Sequence, residues 1–450
     1  MIGQTAAARE ADTEELVDAL EETRSRTLGL VASVSEADVD RVHSPLMSPL
    51  AWDLGHVAAY EDLWLAHRYG GRPILRDELM DVYDAFETPR AERGDLPFLR
   101  GDEARRYMED VRERTLSVLA ERGAGDGFIA ELVIHHEQQH CETMLQTIQL
   151  ARLDGYRLPT GGGSAAGTGM PAGAGASEAG DHRNGAISAD LDLIEIPAGP
   201  CDIGAVPERF AYDNERPRHR IVLDAFRIGR TPVTNASYLS FVEGGGYVRR
   251  EWWSDEGWAW KEEYDITRPA AWAEGLDGEW RVDGFAPLDP ERPVVHVSWF
   301  EAEAFARAHG ARLPTEVEWE KAATWDRETG TSRVRPWGEE PLIPGLHANV
   351  DHVATGPLPA RFSTAGTAAS GCVAMIGDVW EWTSSDFTGY PGFVARPYPE
   401  YSEVFFGSGY RVLRGGSWAT RARVISPAFR NWDFPQRRQI FAGFRIATDA

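Results

Sequence analysis

The sequence predicts two units of different class, an all-helical N-terminal domain and an α+β domain, joined by a glycine- and alanine-rich linker. Three observations predict this. From about residue 12 to 155, apolar side chains recur at helical spacing between cap and stop signals. Residues 159–188 hold almost no large apolar side chain to offset the entropy of ordering, so they read as a flexible linker. Beyond them, short β-rich runs such as IVLDAFRI alternate with glycine and proline turns, and most of the 16 tryptophans lie past residue 250. The length agrees, since 450 residues exceed what one hydrophobic core organises. The expected boundaries are 1–158, 159–188 and 189–450.

Each element has its own signal. Asp12 followed by Glu15 predicts a capping box for a first helix with Leu16, Leu20, Thr27 and Val31 on one face. Ser48-Pro49 starts a second helix and Gly70-Gly71 stops it. A third runs over about 103–122 to Gly123, and a fourth over about 127–152 to Gly155. Four helices of this kind form a bundle. In the second unit, capping boxes at Ser298/Glu301 and Thr315/Glu318 announce two helices, the latter entered through Pro314.

Composition excludes several classes of function. With 71 acidic against 46 basic residues, the net charge of −25 repels polyanions, so nucleic acid is not an expected partner. No run approaches the ~18 apolar residues of a membrane span, and the start lacks a basic region followed by an apolar one. A cytoplasmic monomer is expected. Cys141, Cys201 and Cys372 fall in no CxxC pair, which suggests neither a disulfide framework nor a cysteine-rich zinc site.

The chemistry concentrates on histidine. On the fourth helix Phe128, Leu132, His136, His140, Thr143 and Thr147 form one stripe, and the i,i+4 pair His136/His140 can aim two imidazoles at one ion. His135 points about 100° away. On the second helix His56 shares a face with Trp52, Tyr60 and Leu63, which offers a third ligand. His67 lies about 16 Å further along the axis and cannot reach the same metal. Three neutral nitrogens suit Zn, Fe, Ni or Cu, and spacing does not choose among them. A pair of buried, hydrogen-bonded histidines is the plain alternative. Because the run reads HEQQH, with Glu137 in place for HExxH, a zinc peptidase is the runner-up.

The second signal is local charge. Between Gly409 and Arg445 there are eight arginines and one acid, Asp433. Arg90 and Arg93 form another basic pair, in ETPRAERGDLP. Guanidinium groups hold carboxylates through paired hydrogen bonds, so a small polycarboxylate whose ammonium meets Asp433 is a reasonable ligand. A solvated arginine face is the competing reading.

These segments also resemble known families. SPLAWDLGHVAAYEDLWL and IHHEQQHCETM resemble the metal-binding segments of DinB-like helical domains. DLIEIPAGPCDIGA, RPVVHVSWFEAEAFARAHGARLPTEVEWEKAA, IGDVWEWTSSDF, VLRGGSW and GFRIA resemble the formylglycine-generating-enzyme domain, a variant of the C-type-lectin fold. In this order, and with RNWDFPQRRQIF, the combination resembles the bacterial sulfoxide synthases of ergothioneine biosynthesis over nearly the whole chain outside the linker.

The resemblance implies an Fe(II) centre ligated by His56, His136 and His140. It implies joining of the γ-glutamylcysteine thiol to the imidazole carbon of hercynine, with O2 oxidising the sulfur to a sulfoxide. Tyr390, in DFTGYPGF, would be the catalytic proton donor. Arg90, Arg93, Asp433 and Arg437 would bind the thiol substrate, with Arg438 unassigned. Gln139, Asn431 and Trp432 would bind hercynine, whose quaternary ammonium favours an aromatic face. Free cysteine as thiol donor, a DinB-type thiol transferase, formylglycine generation and a lectin-like binding module are the alternatives. Neither Cys201 nor Cys372 matches the cysteine pair that formylglycine generation needs.

Overall fold

The computed structural model describes residues 12–159, 192–407 and 409–450. The expected linker, 159–188, lies outside the described residues except for Pro159. The N-terminal unit is built from α1 (Thr13–Val31), a single turn α2 (Glu36–Val39), α3 (Leu50–Glu61), α4 (Gly101–Arg122) and α5 (Phe128–Ala151). Asp12 caps α1 by accepting from the amides of Glu14 and Glu15. Proline 49 precedes α3, and Gly123, at φ +68°, ends α4 as expected. The fourth predicted helix has the expected extent, but Arg152, in a left-handed conformation, closes α5 in place of Gly155.

Two features of α3 were not legible. Its last turns, Asp62–Tyr69, widen into a π-helix, a local irregularity that often accompanies functional sites. Gly55 permits a close approach, because a Cβ there would stand 2.1 Å from the ring of Tyr83. The bundle packs α1 on α5 and α3 on both α4 and α5. Its interior is partly ionic. Arg24 bonds Glu137 at 2.9 Å and Glu61 at 2.7 Å, and Arg112 bonds Glu61 at 2.8 Å, all buried. Such pairs hold only when both charges are matched, since removing one strands the other in low dielectric.

The C-terminal unit contains α6 (Asn235–Glu243), α7 (Asp255–Glu263), α8 (Trp299–Ala308) and α9 (Glu316–Thr324). Both predicted capping boxes, Ser298/Glu301 and Thr315/Glu318, are reciprocal. The strands are β1 (Leu193–Ile196), β2 (Gly199–Ile203), β3 (His219–Leu223), β4 (Phe226–Gly229), β5 (Gly278–Arg281), β6 (Gly284–Pro287), β7 (Trp325–Asp326), β8 (Thr331–Ser332), β9 (Trp380–Asp386), β10 (Arg411–Arg414), β11 (Arg430–Asp433), β12 (Ala442–Phe444) and β13 (Ala447–Asp449). The largest sheet has the order β11-β10-β9-β12 and a second has the order β1-β4-β13.

The two units share a core in which Leu16, Trp64 and Leu132 of the helices join Trp253, Trp380 and Phe429. Polar contacts fix the docking. Glu142 of α5 accepts from Trp380 Nε1 at 2.8 Å, Ser417 Oγ at 2.6 Å and Thr420 Oγ1 at 2.7 Å. Arg423 reaches back to Glu131 and Glu15. This docking brings β11 and the segment around Tyr398 and Tyr401 to the same cavity as the histidines of α3 and α5.

Candidate metal centre

His56, His136 and His140 meet, with one ligand atom from each lying within 4.8 Å of the other two. Among the described residues this is the one group of three or more potential metal-binding side chains. His135 is turned away to within 3.5 Å of Glu131, and His67 is exposed and bonds the carbonyl of Arg72. The predicted facing of α5 and α3 therefore holds.

Each imidazole is held differently. Nδ1 of His56 donates to the carbonyl of Tyr83 at 2.7 Å, which leaves the Nε2 lone pair facing the cluster. Nδ1 of His140 lies 3.3 Å from Oδ1 of Asp53. His136 has a buried Nδ1 without a hydrogen-bond partner, and Tyr60 stacks on its ring at 3.6 Å and 9°. Nε2 of His56 and Nε2 of His136 stand 3.2 Å apart. If His136 bears its proton on Nδ1, two lone pairs face one another and a cation belongs between them. Burial first, and then repulsion by His140, holds His56 far below the usual imidazole value; burial, His140 and His56 do the same to His136. Neutral imidazoles are the form that ligates a metal, so the residues present fit a divalent ion.

The triad opens into a cavity of about 590 Å³ also lined by Tyr60, Trp64, Arg90, Gln139, Tyr398, Tyr401, Asn431 and Trp432. Tyr398 and Tyr60 share a hydroxyl–hydroxyl bond of 3.1 Å. Gln139 accepts from Tyr212 at 3.0 Å and donates to Tyr401 at 3.2 Å. Trp432 stacks on Phe387 at 4.0 Å. Gln139, Asn431 and Trp432 thus stand on one cavity with the triad.

The residues expected to bind the thiol substrate divide. Of the four only Arg90 lines the cavity; Asp433, raised by burial and pulled back by Arg437 and Arg90 together, follows the lining residue Trp432 in the chain but is not itself in the lining, nor is Arg437. Arg437 Nε lies 3.5 Å from Asp433. Arg93 instead turns inward: its guanidinium donates to Thr88 O, Ser48 Oγ and Ala85 O at 2.9, 2.8 and 3.1 Å and lies 3.8 Å over Trp52. It is absent from the cavity lining.

Tyr390 requires a correction. The structure buries it beside Cys201 and Ile203, beneath Arg430, with its hydroxyl 3.3 Å from Arg414 and outside the cavity lining. Packing of its ring against these strands removes it from the triad. The tyrosines that reach the cavity are Tyr60, Tyr83, Tyr398 and Tyr401. Tyr60 follows His56 by one helical turn, a signal available in the sequence; RPYPEYSE offers no periodicity that would mark Tyr398. Asp53, one turn before His56, was equally legible and was missed.

The arginine-rich segment also reads differently in three dimensions. Arg411 pairs with Asp386, Arg414 with Glu316 and Glu320, Arg421 with Glu22 and Asp351, and Arg423 with Glu15 and Glu131. Arg430, Arg438 and Arg445 pair with Glu316, Glu301 and Glu381. Seven of the eight arginines thus neutralise acids from elsewhere in the chain, and Arg437 pairs with its neighbour Asp433. The peptidase reading fails on Glu137, which is buried against Arg24 and Thr27 on the α1 side.

Among the described residues, no helix is long and apolar enough to cross a membrane. Residues 19–144 match the DinB superfamily, and residues 186–450 match the sulfatase-modifying factor enzyme 1-like domain. The formylglycine-generating enzyme of Streptomyces coelicolor is 33% identical over 293 residues, covering 57% of this chain and 89% of that protein. Other relatives span both parts. The hercynine oxygenase of Mycolicibacterium thermoresistibile is 45% identical over 445 residues, covering 97% of this chain and 95% of the relative. That of Mycobacterium tuberculosis is 44% identical over 444 residues, covering 97% and 99%. A helical triad site, a second unit that matches the sulfatase-modifying factor domain and end-to-end similarity point the same way: the chain belongs to the hercynine oxygenase family.

Proposed function

We propose that the chain joins the γ-glutamylcysteine thiol to the imidazole carbon of hercynine and oxidises the sulfur with O2, using Fe(II) held by His56, His136 and His140. The observation that supports this most directly is the three-imidazole cluster opening into a cavity that Arg90, Gln139, Asn431 and Trp432 also line. The electrons balance. Forming the C–S bond removes two and forming the sulfoxide two more, so one oxygen atom stays on sulfur, the other leaves as water, and no external reductant is needed. Fe(II) in this site would supply O2 activation, and three protein ligands leave further positions for substrates.

The chain's own side chains do the rest. Trp432 offers an aromatic face for the trimethylammonium group of hercynine, while Asn431 and Gln139, the latter steadied by Tyr212 and Tyr401, meet its polar atoms. γ-Glutamylcysteine has two carboxylates and one ammonium, and Arg90, Arg437 and Asp433 supply the complementary two positive charges and one negative. Free cysteine would use fewer of these groups. Arg93 supports the pocket wall from behind. Tyr398 is the proton donor: burial raises its phenol to about 12, so it is a neutral donor near pH 7. Its partner Tyr60 can pass a proton along the shared bond.

Loading the protein anaerobically with Fe(II), then adding hercynine, thiol and air, tests the proposal by product mass. The coupled sulfoxide should form with γ-glutamylcysteine, more slowly with cysteine, and consume one O2 per product. Thiol oxidation without any coupled product would overturn it.

A further inference from the structure

Asp53 is a buried carboxylate to which the substrate assignments give no role. It lies on α3 one turn before His56, so a single helix presents a ligand and, on the same side, a carboxylate. It is fully buried. Oδ1 stands 3.3 Å from Nδ1 of His140, the ligand of the facing helix, and Oδ2 has no hydrogen-bond partner. A half-satisfied carboxylate in such a place is costly unless positive charge lies close. Arg93 is the nearby protein cation, with Asp53 among the groups that favour its charge, yet its nitrogens are engaged with Thr88, Ser48 and Ala85.

We propose that Asp53 is a positioning residue of the metal centre, accepting the Nδ1–H of His140 so that Nε2 faces the shared point and placing one negative charge behind the ligand set. The proposal rests on the triad being a metal site. The three supports differ in kind: a neutral carbonyl behind His56, an aromatic ring against His136, and a carboxylate behind His140 alone. Three neutral imidazoles leave a divalent ion at a net charge of +2; Asp53 lowers this to +1, and one thiolate brings it to zero. A carboxylate in this position also raises the basicity of its imidazole, and partners of this kind alter metal affinity by about 10–100-fold.

Co(II) titration of the metal-free protein, followed by visible absorption and chelator competition, reads this without turnover. Asp53→Ala should weaken Co(II) by about 10–100-fold and change its spectrum. Asp53→Asn, which keeps the shape and an accepting oxygen but loses the charge, should fall between it and wild type. If Asp53→Ala does not fold, Asp53→Asn decides alone. Asp62→Asn is the packing control, because Asp62 is equally buried, bonds the amide of Leu75 at 2.7 Å and takes no part in the triad. It should lower the melting temperature and leave Co(II) affinity unchanged. Wild-type affinity and spectrum in both Asp53 variants would overturn the proposal, as would an equal loss in Asp62→Asn. Failure of the wild-type protein to bind Co(II) would instead overturn the metal-site reading beneath it.

Discussion

Replacing Tyr398 by phenylalanine removes one hydroxyl and leaves the ring that stacks on Trp64 at 5.2 Å. The stability cost follows from the lost bond to Tyr60, at 3.1 Å a neutral pair worth about 0.5–1.5 kcal/mol, so the variant should fold. The catalytic cost is larger. General-acid assistance contributes about 10²–10⁴-fold, equivalent to roughly 3–5 kcal/mol of barrier. Without the donor, the thiol is expected to take both oxygen atoms, giving its sulfinic acid in place of the coupled sulfoxide. Tyr390→Phe provides the comparison, since its hydroxyl meets only Arg414 at 3.3 Å outside the cavity. Rapid-quench single turnovers with both substrates would measure the rate and the sulfoxide-to-sulfinate ratio. Tyr398→Phe should lose at least 10²-fold in coupled product, while Tyr390→Phe stays within a few-fold of wild type. Wild-type rate and ratio in Tyr398→Phe, or a greater loss in Tyr390→Phe, would refute the assignment.

His136→Ala or His56→Ala should abolish iron binding by elemental analysis, whereas His135→Ala, whose ring faces Glu131 and Phe210, should retain it. Arg90→Ala should raise the KM for γ-glutamylcysteine much more than for hercynine, because an unpaired carboxylate remains; Arg93→Ala, which opens the wall behind Trp52, should impair both substrates and lower the melting temperature. In the bundle, burial alone would raise Glu61, but Arg112 and Arg24 outweigh it and hold the carboxyl down to about 2. This stabilisation, roughly 3 kcal/mol, is fully present above the unfolded value near 4.5 and is lost as pH falls towards 2. Denaturant melts of the wild type should show that loss, and Glu61→Gln should show a flatter acid limb from a lower starting stability.

The helices and the triad were legible because both follow from periodicity. A 3.6-residue repeat fixes which face of α5 holds His136 and His140, and caps such as Asp12, Ser298 and Thr315 act within a few residues of chain. What the sequence concealed depends on long-range partners. The acids that neutralise Arg414 and Arg430 come from α9, about a hundred residues earlier, so a basic run looked like an anion site although most of it is internally matched. Tyr390 and Tyr398 are eight residues apart in one irregular segment, where no repeat tells a ring packed against strands from one that lines the cavity. Arg93 had the right residue type for a carboxylate, but three local acceptors claim it.

Helix α5 explains how two docked units make one active site. Over two turns it presents His136 and His140 to the metal position, Gln139 to Tyr401, and Glu142 to Trp380, Ser417 and Thr420. The last contact is a carboxylate without a cation, which burial raises above its usual value and three neutral donors pull back. It is therefore sensitive to position: a small shift of the second unit along the helix would leave the carboxylate buried and unpaired. Because the helix is rigid, the register that satisfies Glu142 also sets where Tyr401 stands relative to Gln139. The bundle alone carries all three histidines and Asp53, whereas the groups proposed to receive the hercynine ammonium and to donate the proton, Trp432 and Tyr398, come from the other unit. The histidine triad and the proposed proton donor are thereby divided between two pieces of chain, and docking through α5 brings them together.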